Sequence, residues 1–160
     1  KKTPISINLV ISNTHKAKGL KYADQSKINK KKFDFKNIKN AEKKILSLLK
    51  KEKIELICLA GFMKILSKNF IKKFDGTIIN IHPSLLPKYK GLHTHQRAIL
   101  NKDKFAGCTV HYVTAKLDSG KIILQKKIKI TANDNSISLA KKILKQEYKL
   151  YSAAIMKIFN

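Results

Sequence analysis

The chain has 160 residues and a formal net charge of +25, from 35 lysine and arginine residues against 10 aspartate and glutamate. That length suits a single domain whose core needs no disulfide or metal staple. Two cysteines exclude a disulfide framework, and no apolar stretch approaches the roughly 20 residues of a membrane-spanning helix.

The charge raises the question of nucleic acid, and its detail argues against it. Arg97 is the only arginine, whereas base readout and bidentate phosphate recognition favour the planar guanidinium. The lysines are spread over Lys30-Lys31-Lys32, Lys43-Lys44, Lys72-Lys73, Lys126-Lys127 and Lys141-Lys142, with no aromatic stacking series between them. They read as solvated faces whose summed field draws anionic metabolites. Cys58, inside Ile57-Cys58-Leu59-Ala60, is expected in the core, in keeping with a reducing cytoplasm. There is no signal-peptide pattern.

In chain order, Ile5 to Ile11 alternates and reads as a strand, followed by a helix from about His15 to Gln25 that Gly19 weakens. Lys27 to Asn37 is a polar connector with a short extended piece near Phe33. Ala41 to Lys51 has helical apolar spacing at Ile45, Leu48 and Leu49. Ile54 to Ala60 is the continuous apolar run of a buried parallel strand, stopped by Gly61. Leu66 to Phe74 predicts a short helix with Ser67 near its start, and Asp75-Gly76 turns into the strand Thr77 to Asn80. Thr94 to Asn101 predicts a helix, Cys108 to Val113 and Ile122 to Ile130 two strands, and Ser136 to Phe159 a long amphipathic helix. The fold class is therefore α/β: one domain over residues 1–160, with a Rossmann-like, mostly parallel sheet and an antiparallel C-terminal part.

Chemistry concentrates in Asn80-Ile81-His82-Pro83-Ser84-Leu85-Leu86-Pro87. Positions i and i+2 of a strand share a face, so Asn80 and His82 can point at one reacting atom. Asn80 offers an amide donor to a developing oxyanion, and His82 an imidazole that titrates near neutrality. Pro83 and Pro87 stiffen the loop that follows. Taken alone, Asn-x-His is also what a satisfied polar pair at a strand end looks like. Functional groups of such sheets gather at the carboxyl ends of strands, where Gly61, the Asn80–His82 pair and the Val113 to Gly120 loop all fall. Asp118 lies in that loop as Leu117-Asp118-Ser119-Gly120, which by itself is an ordinary turn. Brought against His82, its carboxylate would orient the imidazole. His93 and His95 form a His-x-His without a Cys or acidic cluster, so no metal site is expected. His111 reads as a supporting polar group, and His15 as surface.

Three long runs carry a family resemblance: LAGFMKILS (59–67), IINIHPSLLPKYKGLHTHQRAI (78–99) and GCTVHYVTAKLDSGKIILQ (107–125). In order and spacing they resemble the phosphoribosylglycinamide formyltransferase family, folate-dependent enzymes of purine synthesis. The resemblance is weak before Ile54 and strong from there to Gln125. The continuation Lys88 to His95 looks like this family rather than the methionyl-tRNA or hydrolase branches. Carried over residue by residue, it implies Asn80, His82 and Asp118 as the catalytic trio. It implies folate contacts at Phe62, Met63, Lys64, Ile65, Leu66, Val113 and Thr114, and glycinamide substrate contacts at Gly61, Lys88 and Glu147. The donor implied is 10-formyltetrahydrofolate as co-substrate, with no metal. The partners are small molecules, with no specific nucleic acid and no membrane. The expected state is a monomer or homodimer in the cytoplasm.

Three departures qualify this. The family usually opens with a strand and a Gly-rich turn that holds the ribose phosphate, and this chain's first strand matches the family's second. The expectation is that a strand-loop-helix unit lies upstream of residue 1. Ala115 and Lys116 stand where relatives often carry acidic residues, and Lys64 replaces a common arginine. The alternatives are a formyltetrahydrofolate hydrolase, an inactive fragment of the transferase, and a basic nucleic-acid-binding module.

Overall fold

The computed structural model describes residues 5–159. In chain order the elements are β1 (Leu9–Ser12), α1 (Gly19–Gln25), β2 (Asn29–Lys32), α2 (Ile38–Lys51), β3 (Leu56–Leu59), α3 (Lys68–Lys73), β4 (Thr77–His82), α4 (Thr94–Leu100), β5 (Phe105–Tyr112), β6 (Ile122–Lys129) and α5 (Ser136–Phe159). β1 and β2 pair in parallel as a two-stranded sheet, and β3-β4-β5-β6 form a four-stranded one. Within the latter, β3–β4 is parallel while β4–β5 and β5–β6 are antiparallel. The expected α/β architecture, parallel first and antiparallel toward the C-terminus, is present.

Several elements differ from the sequence reading. The first strand covers Leu9–Ser12, and α1 begins at Gly19, not near His15. A glycine inside a helix costs roughly 1 kcal/mol relative to alanine, so the helix starts at it. The connector Lys27 to Asn37 contains a strand, Asn-Lys-Lys-Lys, with all four residues exposed. Its side chains carry no hydrophobic alternation, and the element exists through its backbone ladder with β1. Phe33 and Phe35, which follow it, anchor this edge into the core. β3 is shorter and less buried than the apolar run suggests. Among the described residues Cys58 is exposed rather than in the core, and β4 is the one strand paired with β3.

Two apolar layers sandwich β4. On one side Ile78 joins Ile45 and Leu49 of α2, Phe70 of α3, Leu66 and Phe74, with Leu9 and Ile11 of β1 packed against them. On the other, Ile79 and Val110 meet Ala154 of α5, and Cys108 meets Leu139 and Ile143. α5 is tied to the sheet by Tyr151, whose hydroxyl lies 2.8 Å from the Leu59 carbonyl and 3.3 Å from that of Ile79. Among the described residues no helix is long and apolar enough to cross a membrane.

Ser67 joins α2 to α3. Its hydroxyl accepts from the Phe70 N–H as the α3 N-cap and donates to Glu42, while its own N–H donates to the same carboxylate at 2.7 Å. Glu42 is buried, so both its oxygens depend on this one residue. Ser67→Ala is expected to cost about 1–2 kcal/mol, through the lost cap and the unpaired oxygen. In urea denaturation the midpoint should fall with the slope unchanged.

Candidate active site

The antiparallel register of β4 and β5 sets Asn80 opposite His111 and His82 opposite Thr109. Opposed residues share a face, so four polar side chains stand together on the side of the sheet away from Ile79 and Val110. His82, Thr109 and His111 are buried there. Such groups are tolerated only with partners.

Their partners fix the ring orientations. His111 Nδ1 lies 2.9 Å from the Tyr112 carbonyl, which can only accept, so Nδ1 carries the hydrogen. Its Nε2 then accepts from the Asn80 amide at 3.3 Å. Burial lowers the His111 pKa from the ordinary imidazole value, against weaker opposing pulls from the Tyr112 hydrogen bond and the Asp118 charge. His82 donates from Nε2 to the Tyr89 carbonyl at 2.9 Å. Its Nδ1 lies 3.4 Å from Asp118 Oδ2, and Asp118 Oδ1 is 3.7 Å from His111 Nε2. Each nitrogen of His82 thus faces an oxygen that can accept a hydrogen bond.

Asp118 reaches this position at a backbone φ of +43°, which aspartate tolerates better than most residues. Two contacts hold it. Its Oδ2 accepts from the Gly91 N–H at 2.8 Å, and the neighbouring Ser119 hydroxyl accepts from Lys90. Gly120 lets the loop return tightly, since a Cβ there would land on the Tyr112 carbonyl. The expectation that Asp118 comes within hydrogen-bond or one-water reach of His82 agrees with this geometry.

The other residues singled out from sequence are placed less tightly. Gly61 follows β3 at a φ of +62° with open space around it. Phe62 is half-buried and meets the Phe35 ring edge-on at 5.5 Å. Met63, Lys64 and Ile65 are exposed, whereas Leu66 is core. Val113, packed against the same core cluster, donates its N–H to the Ile78 carbonyl, and Thr114 is exposed. Lys88 is turned to Asp103, 2.6 Å away, which raises its pKa. Glu147 is half-buried on α5, where burial raises its pKa, and its charge adds to the burial that pushes Cys108 to about 12. Among the described residues no hydrogen bond or ion pair joins Gly61, Lys88 and Glu147 to one another.

Tyr89 was not singled out from sequence. Its contribution to His82 is a backbone carbonyl, for which no residue type is a signal. Lys88 Nζ and Arg97 Cζ lie over its ring, 4.9 and 4.8 Å from the centroid, and its hydroxyl accepts from Asn101. His93 is exposed, and His95 is half-buried with a pKa lowered by burial and by His82. Among the described residues no group of three His, Cys, Asp or Glu side chains could hold a metal ion.

The depressed His111 pKa has a sign. Below the ordinary imidazole value of about 6.5 the unfolded chain takes up a proton that the folded one resists, so stability falls as pH drops through that value. The loss levels off below the lowered folded pKa. Unfolding free energies from urea at pH 7.5 and 5 should show this decline, and His111→Gln should flatten part of it. An identical slope in the variant would remove His111 as its source.

A family model described as formyl transferase matches residues 1–155. The chain is 43% identical over 155 residues to a phosphoribosylglycinamide formyltransferase of Haemophilus influenzae, covering 95% of this chain and 73% of that protein. It is 40% identical over 157 residues to the trifunctional purine biosynthetic protein adenosine-3 of Drosophila melanogaster, covering 95% of this chain but only 12% of that much longer protein. The crystal structure of the Brucella melitensis phosphoribosylglycinamide formyltransferase superposes with a TM-score of 0.91 at 43% identity, over 98% of this chain and 82% of that one. The Bacillus halodurans structure gives 0.92 at 33% identity, over 99% and 83%. With a matching family model over nearly its whole length and relatives of this similarity, the chain belongs to the formyl transferase family.

Proposed function

We propose that this enzyme transfers the formyl group of 10-formyltetrahydrofolate to the amine of glycinamide ribonucleotide. The observation that carries the reading is the His82–Asp118 pair beside Asn80 at the carboxyl end of β4, in a chain whose relatives are named for this reaction.

The substrate amine attacks the formyl carbon, and the carbonyl electrons move onto oxygen to give a tetrahedral oxyanion. Asn80 and a protonated His82 donate hydrogen bonds to that oxygen, where preorganised donors act most strongly. Asp118 holds His82 Nδ1 and offsets the charge of the ring. The N–H that turns to the oxyanion is therefore that of Nε2, which exchanges the Tyr89 carbonyl for substrate. Collapse of the intermediate breaks the bond to the folate nitrogen, and the amine proton passes to it through Asp118 or a water.

The folate lies against Phe62, Met63, Lys64, Ile65 and Leu66, with Val113 and Thr114 opposite. The exposure of Met63 and Ile65, 74% and 67%, supports this assignment: they offer apolar surface that a bound ring system would cover. Gly61, Lys88 and Glu147 take the glycinamide substrate. Glu147 is a carboxylate suited to the amine, and Lys88 would have to exchange Asp103 for substrate.

His82→Ala and Asp118→Asn should each lower kcat by about 100-fold or more, with folate affinity nearly unchanged because both act on the transition state. Neutralising Lys30, Lys31 and Lys32 together should leave turnover intact at physiological salt, where the Debye length is about 8 Å. The assay uses 10-formyltetrahydrofolate and glycinamide ribonucleotide. Formyl release that does not need the ribonucleotide would make the enzyme a hydrolase. Activity lost in the lysine variant but kept in His82→Ala would overturn the reading.

A further inference from the structure

Thr109 stands where three strands meet. The β4–β5 register places it opposite His82, and the β5–β6 register places it opposite Gln125. It is fully buried, and its hydroxyl makes three hydrogen bonds. It accepts from the Leu86 N–H at 3.1 Å and from the Gln125 amide at 2.8 Å. Both of those partners are donors, so its hydrogen points to the Ser84 carbonyl, 2.6 Å away. The same Gln125 nitrogen donates to the Leu86 carbonyl at 2.8 Å. The turn after His82 is thereby held at Ser84 and at both backbone groups of Leu86.

The chain of contacts then returns to the imidazole. The Ser84 hydroxyl donates to the Lys88 carbonyl, and the next carbonyl along, that of Tyr89, receives His82 Nε2–H. Gln125 itself lies on an exposed position of β6, followed by Lys126 and Lys127. Core packing does not call for an amide there, whereas the turn does.

We propose that Gln125 is a positioning residue for His82. Through Thr109 and Leu86 it fixes the turn that carries the Tyr89 carbonyl, and so sets the resting orientation of the His82 ring from which Nε2–H passes to the substrate. The proposal rests on the reading of His82 as catalytic. Removing the amide leaves the Leu86 carbonyl and one lone pair of Thr109 unpartnered, and the turn relaxes. A misplacement of about 1 Å at a reacting group can cost about 100-fold. Water reaches an exposed position and replaces part of the lost bonding, so the expected loss is about 5- to 10-fold.

The test uses the full chain with Gln125→Leu, Gln125→Glu, Thr109→Val and Thr109→Ser. Gln125→Leu and Gln125→Glu should lower kcat by about 5- to 10-fold with the folate KM within about 2-fold, the signature of a transition-state interaction. Their His82 ring signals in nitrogen-15 NMR should shift from those of the parent. Thr109→Ser keeps the hydroxyl and should keep the activity. Thr109→Val should mimic Gln125→Leu, and the two together should cost little more than Thr109→Val alone. Unshifted His82 signals in a folded Gln125→Leu protein overturn the proposal, as does a loss of kcat that merely tracks thermal stability. If the parent itself transfers no formyl group, the catalytic reading fails. The ring signals would still decide whether Gln125 positions His82.

Discussion

The constraint on which the site depends is the antiparallel register between β4 and β5. Because strand side chains alternate and opposed residues share a face, one alignment puts Asn80 against His111 and His82 beside Thr109. A slip by a single residue would present Ile79 and Ile81 to the site and drive Asn80 and His82 into the layer beneath α5. That slip is opposed from below. Ile79, Val110 and Ala154 pack with essentially no exposure, so the α5 core holds the register and the register holds the chemistry.

The second half of the site is built from backbone. Tyr89 contributes a carbonyl to His82, Gly91 an N–H to Asp118, and Tyr112 a carbonyl to His111. Asp118 arrives on a loop in a left-handed backbone conformation and is fastened to the Lys90–Gly91 segment by two hydrogen bonds. The two loops are mutually dependent, since each supplies the group that satisfies the other. Preorganisation here comes from fixed peptide groups, which cost little entropy to hold once the loops are closed.

This explains which parts were legible in the sequence. The regular elements with strong periodicity, α5 above all, could be read because burial imposes a spacing on side chains. That Asn80 and His82 share a face could be read from strand alternation, whereas the approach of Asp118 to His82 was expected only through the family resemblance. β2 was missed because an exposed edge strand imposes no apolar pattern, its ladder being formed by backbone alone. Cys58 was misplaced because an apolar run reports hydrophobicity and not which strands flank it. Tyr89 was invisible as a partner of His82 for the same reason as β2: a carbonyl belongs to every residue. The tautomer of His111 likewise emerges only when both of its neighbours are known.

The lysine-rich edge carries a consequence of a different kind. Among the described residues β2 pairs only with β1, so its other side presents free N–H and C=O groups to any chain that approaches. Such an edge is a template for intermolecular β-pairing. Lys30, Lys31 and Lys32 stand along it, and two copies meeting edge to edge would bring these like charges face to face. A row of lysines on such an edge is a form of protection against edge-to-edge pairing. Because it works through the long-range field, that protection weakens as salt shortens the screening length.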